Sequence, residues 1–440
     1  MIKSLLVANR GEIAVRIIRA CKELGIRTIA VYSEADRKAL HVLMADQAIC
    51  IGPPPSKDSY LNISNIVSAA LASRADAIHP GVGFLSEKAE FARKVQEAGL
   101  IWVGPDPAAI DMLGDKIRSK ENATKFGVPC TPGIEGAITN IDATVEAVKK
   151  IGLPVIIKAS AGGGGKGMRI VRKVEELADN IKIASNEAEK SFNDGTVFIE
   201  KYLENAAHVE LQMMGDKHGN VIYFGERDCS VQKNHQKLIE EAPSPLVTPE
   251  VRKKMGQDAV RLFKGIGYCG AGTIEFLFKD GQYYFMEVNS RIQVEHPVTE
   301  MITGVDLIKE MIRVADGEKL SVKQEDIRID TYAMEVRINA TSPGTVKDYL
   351  PPSGFKVRVD SFLYNGYTVP PTYDSMIAKV IIGAPSRAEG INKMLAVLGE
   401  FKLDGVPTNL DLQKKIINTQ IFRKGGFGTQ VLDAIMKEIG

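Results

Sequence analysis

The sequence predicts a mixed architecture, α/β at its N-terminal end and α+β beyond it. Two observations carry this. Near the start, the apolar run Ser4 to Ala8 is followed by Gly11 to Leu24, where Ile13, Ile17, Cys21 and Leu24 recur at helical spacing, and then by a second apolar run from Thr28 to Tyr32. Strand, helix and strand in that order read as a parallel βαβ unit. Much later, Thr273 to Phe278 and Gln282 to Val288, rich in β-branched and aromatic residues, flank Asp280-Gly281. That is the pattern of an antiparallel hairpin.

With 440 residues, 44% hydrophobic and 25% charged, the chain has material for two or three domains. Its 56 basic and 55 acidic residues leave a formal net charge of +1. So balanced a surface argues against nucleic acid or an anionic membrane as partner, and basic residues are expected to act locally. Cys21, Cys50, Cys130, Cys229 and Cys269 are widely spread, with no Cys-x-x-Cys pair. A reducing, cytoplasmic setting fits them. The run Leu5 to Ala8 is too short for a signal-peptide core, and no apolar run approaches the length of a membrane span.

The N-terminal unit is Rossmann-like, but Asn9-Arg10-Gly11-Glu12 offers one glycine where a dinucleotide site needs Gly-x-Gly-x-x-Gly. Alternation of helix and strand continues through Ile63 to Ala72, Ala77-Ile78, Glu87 to Ala98 and Ile101 to Gly104, and ends near Pro105-Asp106-Pro107. Between two of these elements, Gly81-Val82-Gly83 makes either a sharp loop or a place where backbone approaches a ligand.

A helix is expected from about Ile110 to Phe126, carrying Lys116, before Pro129 and Pro132. Val155 to Lys158 and Met168 to Val171 read as strands around Gly162-Gly163-Gly164-Gly165-Lys166-Gly167. A P-loop is excluded, since Gly167 follows the lysine and a strand stands where a helix should begin. Consecutive glycines can instead fold backbone N–H groups over phosphates, so this loop is expected to be a nucleotide lid. The strand Val197 to Glu200 leads into Lys201-Tyr202-Leu203, and a strand resumes at His208 to Gln212. Backbone beside Glu200 and Leu203 suits an adenine, with His208 near a ribose. Glu226 to Lys237, ending at Glu240-Glu241-Ala242-Pro243, mixes both charge signs with amides and His235. It fits a solvated loop and, equally, the edge of an anion site. From Tyr332 onward come strand-like Tyr332 to Ile338 with Glu335 and Arg337, then Lys356 to Val359, Thr368 to Asp374 and Ile377 to Ile382, and helices Arg387 to Glu400 and Asn409 to Asn418.

The hairpin carries the chemistry. Glu275, Glu287, Asn289, Arg291, Glu295 and His296 crowd into an otherwise apolar segment. Carboxylates buried together on a sheet are costly unless cations compensate them, and hard oxygen ligands of this kind suit Mg²⁺ or Mn²⁺ beside substrate phosphates. Register decides whether the acids meet. A plain two-residue loop would oppose Glu275 to Met286, whereas a bulge or a three-residue loop would bring Glu275 and Glu287 together. The second arrangement is expected.

Together, the glycine loop after a strand lysine, the two hairpin acids and Asn289 resemble the ATP-grasp fold. More narrowly, Ala8-Asn9-Arg10-Gly11-Glu12-Ile13-Ala14, His79-Pro80-Gly81, Arg227-Asp228-Cys229-Ser230 and Arg291-Ile292-Gln293-Val294-Glu295-His296-Pro297 are similar to biotin carboxylase, essentially over the whole chain. The resemblance implies an N-terminal domain over 1–110, an ATP-grasp domain over 111–330 with its lid at about 131–203, and a mixed C-terminal domain over 331–440. It implies ATP-dependent carboxylation of biotin on a carrier protein, with bicarbonate as carbon source. Lys116, Lys158 and the loop at Gly163, Gly164 and Gly165 would hold ATP phosphates. Glu200, Lys201, Leu203 and Leu277 would lie at the adenine, and His208, Gln232 and His235 on the ribose side. Glu275, Glu287 and Asn289 would hold Mg²⁺ or Mn²⁺.

By the same resemblance Lys237, Arg291, Gln293 and Val294 would hold bicarbonate, Glu295 would be its general base, and Arg337 would stabilise the enolate-like oxygen of biotin. Where the family usually has a tyrosine in the Pro80-Gly81 loop this chain has Val82, which alters the expected biotin pocket. The implied partners are a biotin carboxyl carrier protein, carboxyltransferase subunits and a second copy of the chain. Because the chain ends without carrier or transferase segments, an acetyl-CoA carboxylase is expected first, and a pyruvate or other acyl-CoA carboxylase second. Rival readings are another ATP-grasp ligase, from which the Arg291 to His296 run and Arg337 distinguish it, and a non-catalytic nucleotide-binding regulatory subunit.

Overall fold

The computed structural model describes residues 1–134, 136–138, 140–160, 168–234 and 236–440. The predicted lid glycines Gly162 to Gly167 and His235 lie outside the described residues. The N-terminal sheet is wholly parallel, in the order Gln47–Gly52, Arg27–Ser33, Ser4–Val7, Ala77–His79 and Ile101–Trp102. The expected first helix is Gly11–Glu23 and is buried on almost every side. Ile13 and Ile17 pack with Met214, Phe224 and Leu307 of the central region, whereas Val15 joins the C-terminal core beside Phe362. Its buried charges are paired on other elements, Glu12 with Lys379 at 3.2 Å and Arg16 with Glu300 at 2.9 Å, so this helix ties the three regions together.

A second, antiparallel sheet runs through the rest of the molecule in the order Gln282–Asn289, Gly270–Lys279, Ala207–Gly215, Val221–Lys233, Gln236–Ala242, Tyr332–Asn339, Met376–Ala384 and Val357–Ser361. The expected division at 331 therefore falls between strands that hydrogen-bond to each other, Ile239 opposite Val336 and Ala242 opposite Ala333. A small sheet, Arg169–Val171, Val155–Ala159 and Val197–Lys201, stands apart. It has its own core against helices Ile141–Ile151 and Leu177–Phe192, built on Val148, Ile157, Leu177 and Ile199.

The hairpin register is the predicted one. Asp280 and Gly281 form a two-residue turn with φ of 51° and 76°, pairing Lys279 with Gln282. A register shift between Glu275 and Phe276 then leaves Met286 as the extra residue and sets Glu275 opposite Glu287. The bulge has a second effect: consecutive residues Met286 and Glu287 both reach one cavity, which strict alternation would forbid.

Three local expectations need correction. The helix over Ile110 to Phe126 is two, Pro107–Gly114 and Lys116–Lys125, because the Asp115 carboxylate accepts the backbone N–H groups of Ile117 and Arg118 and restarts the helix. Glu226 to Ala242 is not a solvated loop but two long, mostly buried strands. Most of its buried charges are tolerated because they meet a charged partner on another element: Glu226 with Arg252, Arg227 with Glu210, Glu240 with Arg337 and Glu241 with Arg387. Thr368 to Asp374 pairs only at Thr368–Val369.

Candidate active site

A cleft of about 1050 Å³ lies between the small sheet and the large one. Its floor is the acidic hairpin: Glu275, Leu277, Met286, Glu287 and Asn289. Opposite stand Ile156, Lys158, Met168, Ile170 and Phe198 of the small sheet, and Tyr202 and Leu203 follow on the connecting backbone. Apolar walls with a few charged groups between them suit a flat base joined to an anionic tail. At the far end the lining passes to Val82, Arg291, Gln293, Val294, Glu295 and Arg337.

The large sheet sets three carboxylates side by side: Glu287 opposes Glu275, and Glu275 opposes Glu210 on the next strand. Such a row stands only if cations thread it. The Lys237 ammonium does so, 2.6 Å from Glu210, 3.2 Å from Glu275 and 2.6 Å from Glu295. Arg227, wholly buried, takes the other oxygen of Glu210 at 2.6 Å. His208 Nε2 stands 2.9 Å from Glu275, and its Nδ1 is 2.7 Å from the Gln232 amide. An amide N–H donating to Nδ1 puts the ring proton on Nε2, facing the carboxylate. Asn289 and Gln293 each donate to Glu275 at 2.9 Å. Lys116 lies 3.6 Å from Glu287.

Burial would raise the proton affinity of Glu275, but Lys237 first and His208 next outweigh it and hold the carboxyl well below its ordinary range. For Glu295 burial is likewise overcome, here by Lys237, Arg337 and Arg227, and this group too stays ionised far into acid. A carboxylate clamped in this way is a weak base. Glu295 can take a proton only as Lys237, at 2.6 Å, and Arg337, at 3.0 Å, turn part of their charge to an incoming anion. The donor set at the hairpin, two carboxylates and an amide oxygen, is all oxygen and fits Mg²⁺ or Mn²⁺.

Some expected residues sit elsewhere in the network than the sequence suggests. The Glu200 carboxylate is held by Lys120 at 2.6 Å and Lys158 at 2.8 Å and does not itself line the cleft, so it positions a lysine of the cleft wall. His208 stands against the metal-type carboxylates. Arg291 donates to Glu87 of the N-terminal region at 2.7 Å and to Asn289 at 3.1 Å. Residues that the sequence did not single out include Glu210, Glu240 and Glu87. For Glu210 a signal existed, since His208, Glu210 and Gln212 alternate on a buried strand and so share one face.

Parallel and antiparallel sheets around a cleft with lysines on one wall and opposed acids on the other define an ATP-grasp ligase. Family models agree with this and narrow it: "Biotin carboxylase, N-terminal domain" matches residues 1–110, "Carbamoyl-phosphate synthase L chain, ATP binding domain" residues 115–323, and "Biotin carboxylase C-terminal domain" residues 318–434. Biotin carboxylase 1 of Bacillus subtilis is 54% identical, covering 98% of each chain. A pyruvate carboxylase subunit from Methanothermobacter thermautotrophicus is 48% identical over 100% of this chain and 91% of that one. The biotin carboxylase domain dimer of Hydrogenobacter thermophilus 2-oxoglutarate carboxylase, solved with MgADP, ADP and bicarbonate, superposes with a TM-score of 0.95 at 48% identity, covering 100% of this chain and 99% of that one. The chain belongs to the biotin carboxylase family.

Proposed function

We propose that this chain carboxylates biotin carried on a biotin carboxyl carrier protein, at the expense of ATP and with bicarbonate as carbon source. The observation that carries the reading is Lys237, whose single ammonium touches both Glu275 of the metal-type pair and Glu295 of the anion pocket. The two halves of the cleft thus share one charge.

Lys116 and Lys158 would meet nucleotide phosphates, with Lys201, Leu203 and Leu277 at the base and Gln232 and His208 beyond it; that all of them line the one cleft supports this reading. Glu275, Glu287 and Asn289 would hold Mg²⁺ or Mn²⁺, which when bound neutralises phosphate charge. Arg291, Lys237, Gln293 and the Val294 backbone receive bicarbonate. Glu295 removes its proton, and the freed oxygen attacks the γ-phosphorus as ADP leaves, giving carboxyphosphate. Breakdown to CO₂ and phosphate supplies the electrophile, and the phosphate takes the ureido N–H proton while Arg337 stabilises the developing oxyanion. Val82 gives the biotin end of the cleft an aliphatic wall.

Homodimerisation is supported by the dimer of the Hydrogenobacter thermophilus domain, carboxyltransferase subunits are the partners that would use the carboxylated biotin, and five free cysteines support a reducing cytoplasm. Among the described residues no helix is long and apolar enough to cross a membrane. We favour an acetyl-CoA carboxylase as the parent enzyme. The 48% identity to a pyruvate carboxylase subunit keeps a 2-oxoacid carboxylase as the second reading. The test is transfer of ¹⁴C from bicarbonate to a biotinylated carrier, expected to require both ATP and Mg²⁺. Label transfer without ATP, or none with carrier present, would overturn the assignment.

A further inference from the structure

Two successive carbonyls of the turn that bears Val294 and Glu295 are gripped from behind. The Gln293 carbonyl accepts from His296 Nδ1 at 2.7 Å, and the Val294 carbonyl accepts from Lys379 Nζ at 2.7 Å. His296 and Lys379 are both fully buried and neither lines the cleft. The only cis peptides among the described residues are Leu153-Pro154 and Ala242-Pro243, so these two bonds are trans. In a trans peptide the N–H points opposite the C=O. Donors behind the turn therefore direct the N–H groups of Val294 and Glu295 forward, and both residues line the cleft. Among the described residues neither N–H has an acceptor in the protein. Buried N–H groups are rarely left so, and two in succession form a concavity suited to an anion.

The grip is specific on both sides. Lys379 sits opposite Arg337 in the strand register. One cation takes the Glu295 side chain at 3.0 Å and its neighbour takes the carbonyl just before it. Glu12 at 3.2 Å fixes the Lys379 ammonium. Burial, aided by Lys379, Arg16 and Arg358, holds His296 well below its ordinary value, so the ring is neutral and its one proton serves the carbonyl. Its Nε2 accordingly has no partner.

We propose that Lys379 and His296 are positioning residues that present the Val294 and Glu295 N–H groups to bicarbonate, a role that rests on reading this end of the cleft as the bicarbonate pocket. The test compares steady-state constants of the full chain with ATP and bicarbonate varied separately. Lys379→Met should raise the bicarbonate KM by about tenfold or more, equivalent to about 1.4 kcal/mol, while the ATP KM stays within about twofold, as a loss confined to one ligand requires. Should Lys379→Met fail to fold, His296→Asn, whose amide can stand in for Nδ1–H, is compared with His296→Leu. Asparagine should keep the wild-type bicarbonate KM and leucine should raise it. Unchanged bicarbonate KM in Lys379→Met or His296→Leu, or ATP and bicarbonate constants rising together, would overturn the proposal. Wild-type ATP cleavage that ignores bicarbonate would instead remove the underlying carboxylase reading.

Discussion

Arg291, which the proposed function assigns to bicarbonate, lines the cleft with its fork already shared between Glu87 and Asn289. Arg291→Ala should cut kcat/KM at least about 100-fold, as loss of a charged transition-state contact does. Bicarbonate-dependent phosphate release within about threefold of wild type, on the order of 0.7 kcal/mol, would contradict its role. Glu275 makes a pH prediction. Its folded value is depressed, first by Lys237 against the cost of burial, so its stabilising contribution is complete above the unfolded value of about 4.3 and is lost as pH falls through the folded one. Against the cost of burial, the same pairing raises His208 above its ordinary value, so the thermal midpoint difference between wild type and Glu275→Gln should widen as pH falls through the histidine range and shrink below about 5 as Glu275 itself takes a proton. A difference that does not shrink below about pH 5 would contradict the depressed value of Glu275. These residues were legible in the sequence because several charges in one apolar segment demand an explanation. Glu87 and Lys379 were not, since their partners Arg291 and Val294 lie far away in the chain.

Among the elements, the hairpin shows how one extra residue decides a site. Deleting Met286 would remove the bulge while leaving Phe285 opposite Phe276 and Glu287 opposite Glu275. The acids then still face each other, but one apolar wall residue is gone. Half-saturation by Mg²⁺ should change little, and nucleotide affinity should fall by about tenfold, the worth of one contact of this size. Equal loss of both would mean that the bulge itself orients the acids. The turn could be read from Asp280-Gly281 because its geometry is local. The strands through Glu226 to Ala242 could not, because what permits their charges is Arg252, Glu210, Arg337 and Arg387 on other elements. The split at Asp115 could have been read, since an aspartate after Gly114 is a cap signal.

For the molecule as a whole, the three regions expected from the sequence are joined more tightly than consecutive domains need be. One sheet crosses the 331 boundary, and Glu300 accepts from Arg16 of the N-terminal helix at 2.9 Å and from Arg358 of the last strand of the sheet at 2.6 Å. Glu300→Ala would leave Arg16 with Asp306 and Arg358 with Asp360 as their remaining carboxylates and should destabilise the protein by about 1–3 kcal/mol in chemical unfolding. A cost below about 1 kcal/mol, as for a surface pair, would show that the junction is not held there. The cleft itself exists only because these regions meet: its lysines Lys116 and Lys158 come from the 111–330 segment, and Arg337, paired with Glu295, from the segment after it. That both halves serve one reaction is tested most directly by supplying bicarbonate labelled with ¹⁸O and examining the phosphate released. Attack by bicarbonate on the γ-phosphorus predicts one bicarbonate oxygen in each phosphate formed during carboxylation; phosphate carrying only solvent oxygen would contradict it.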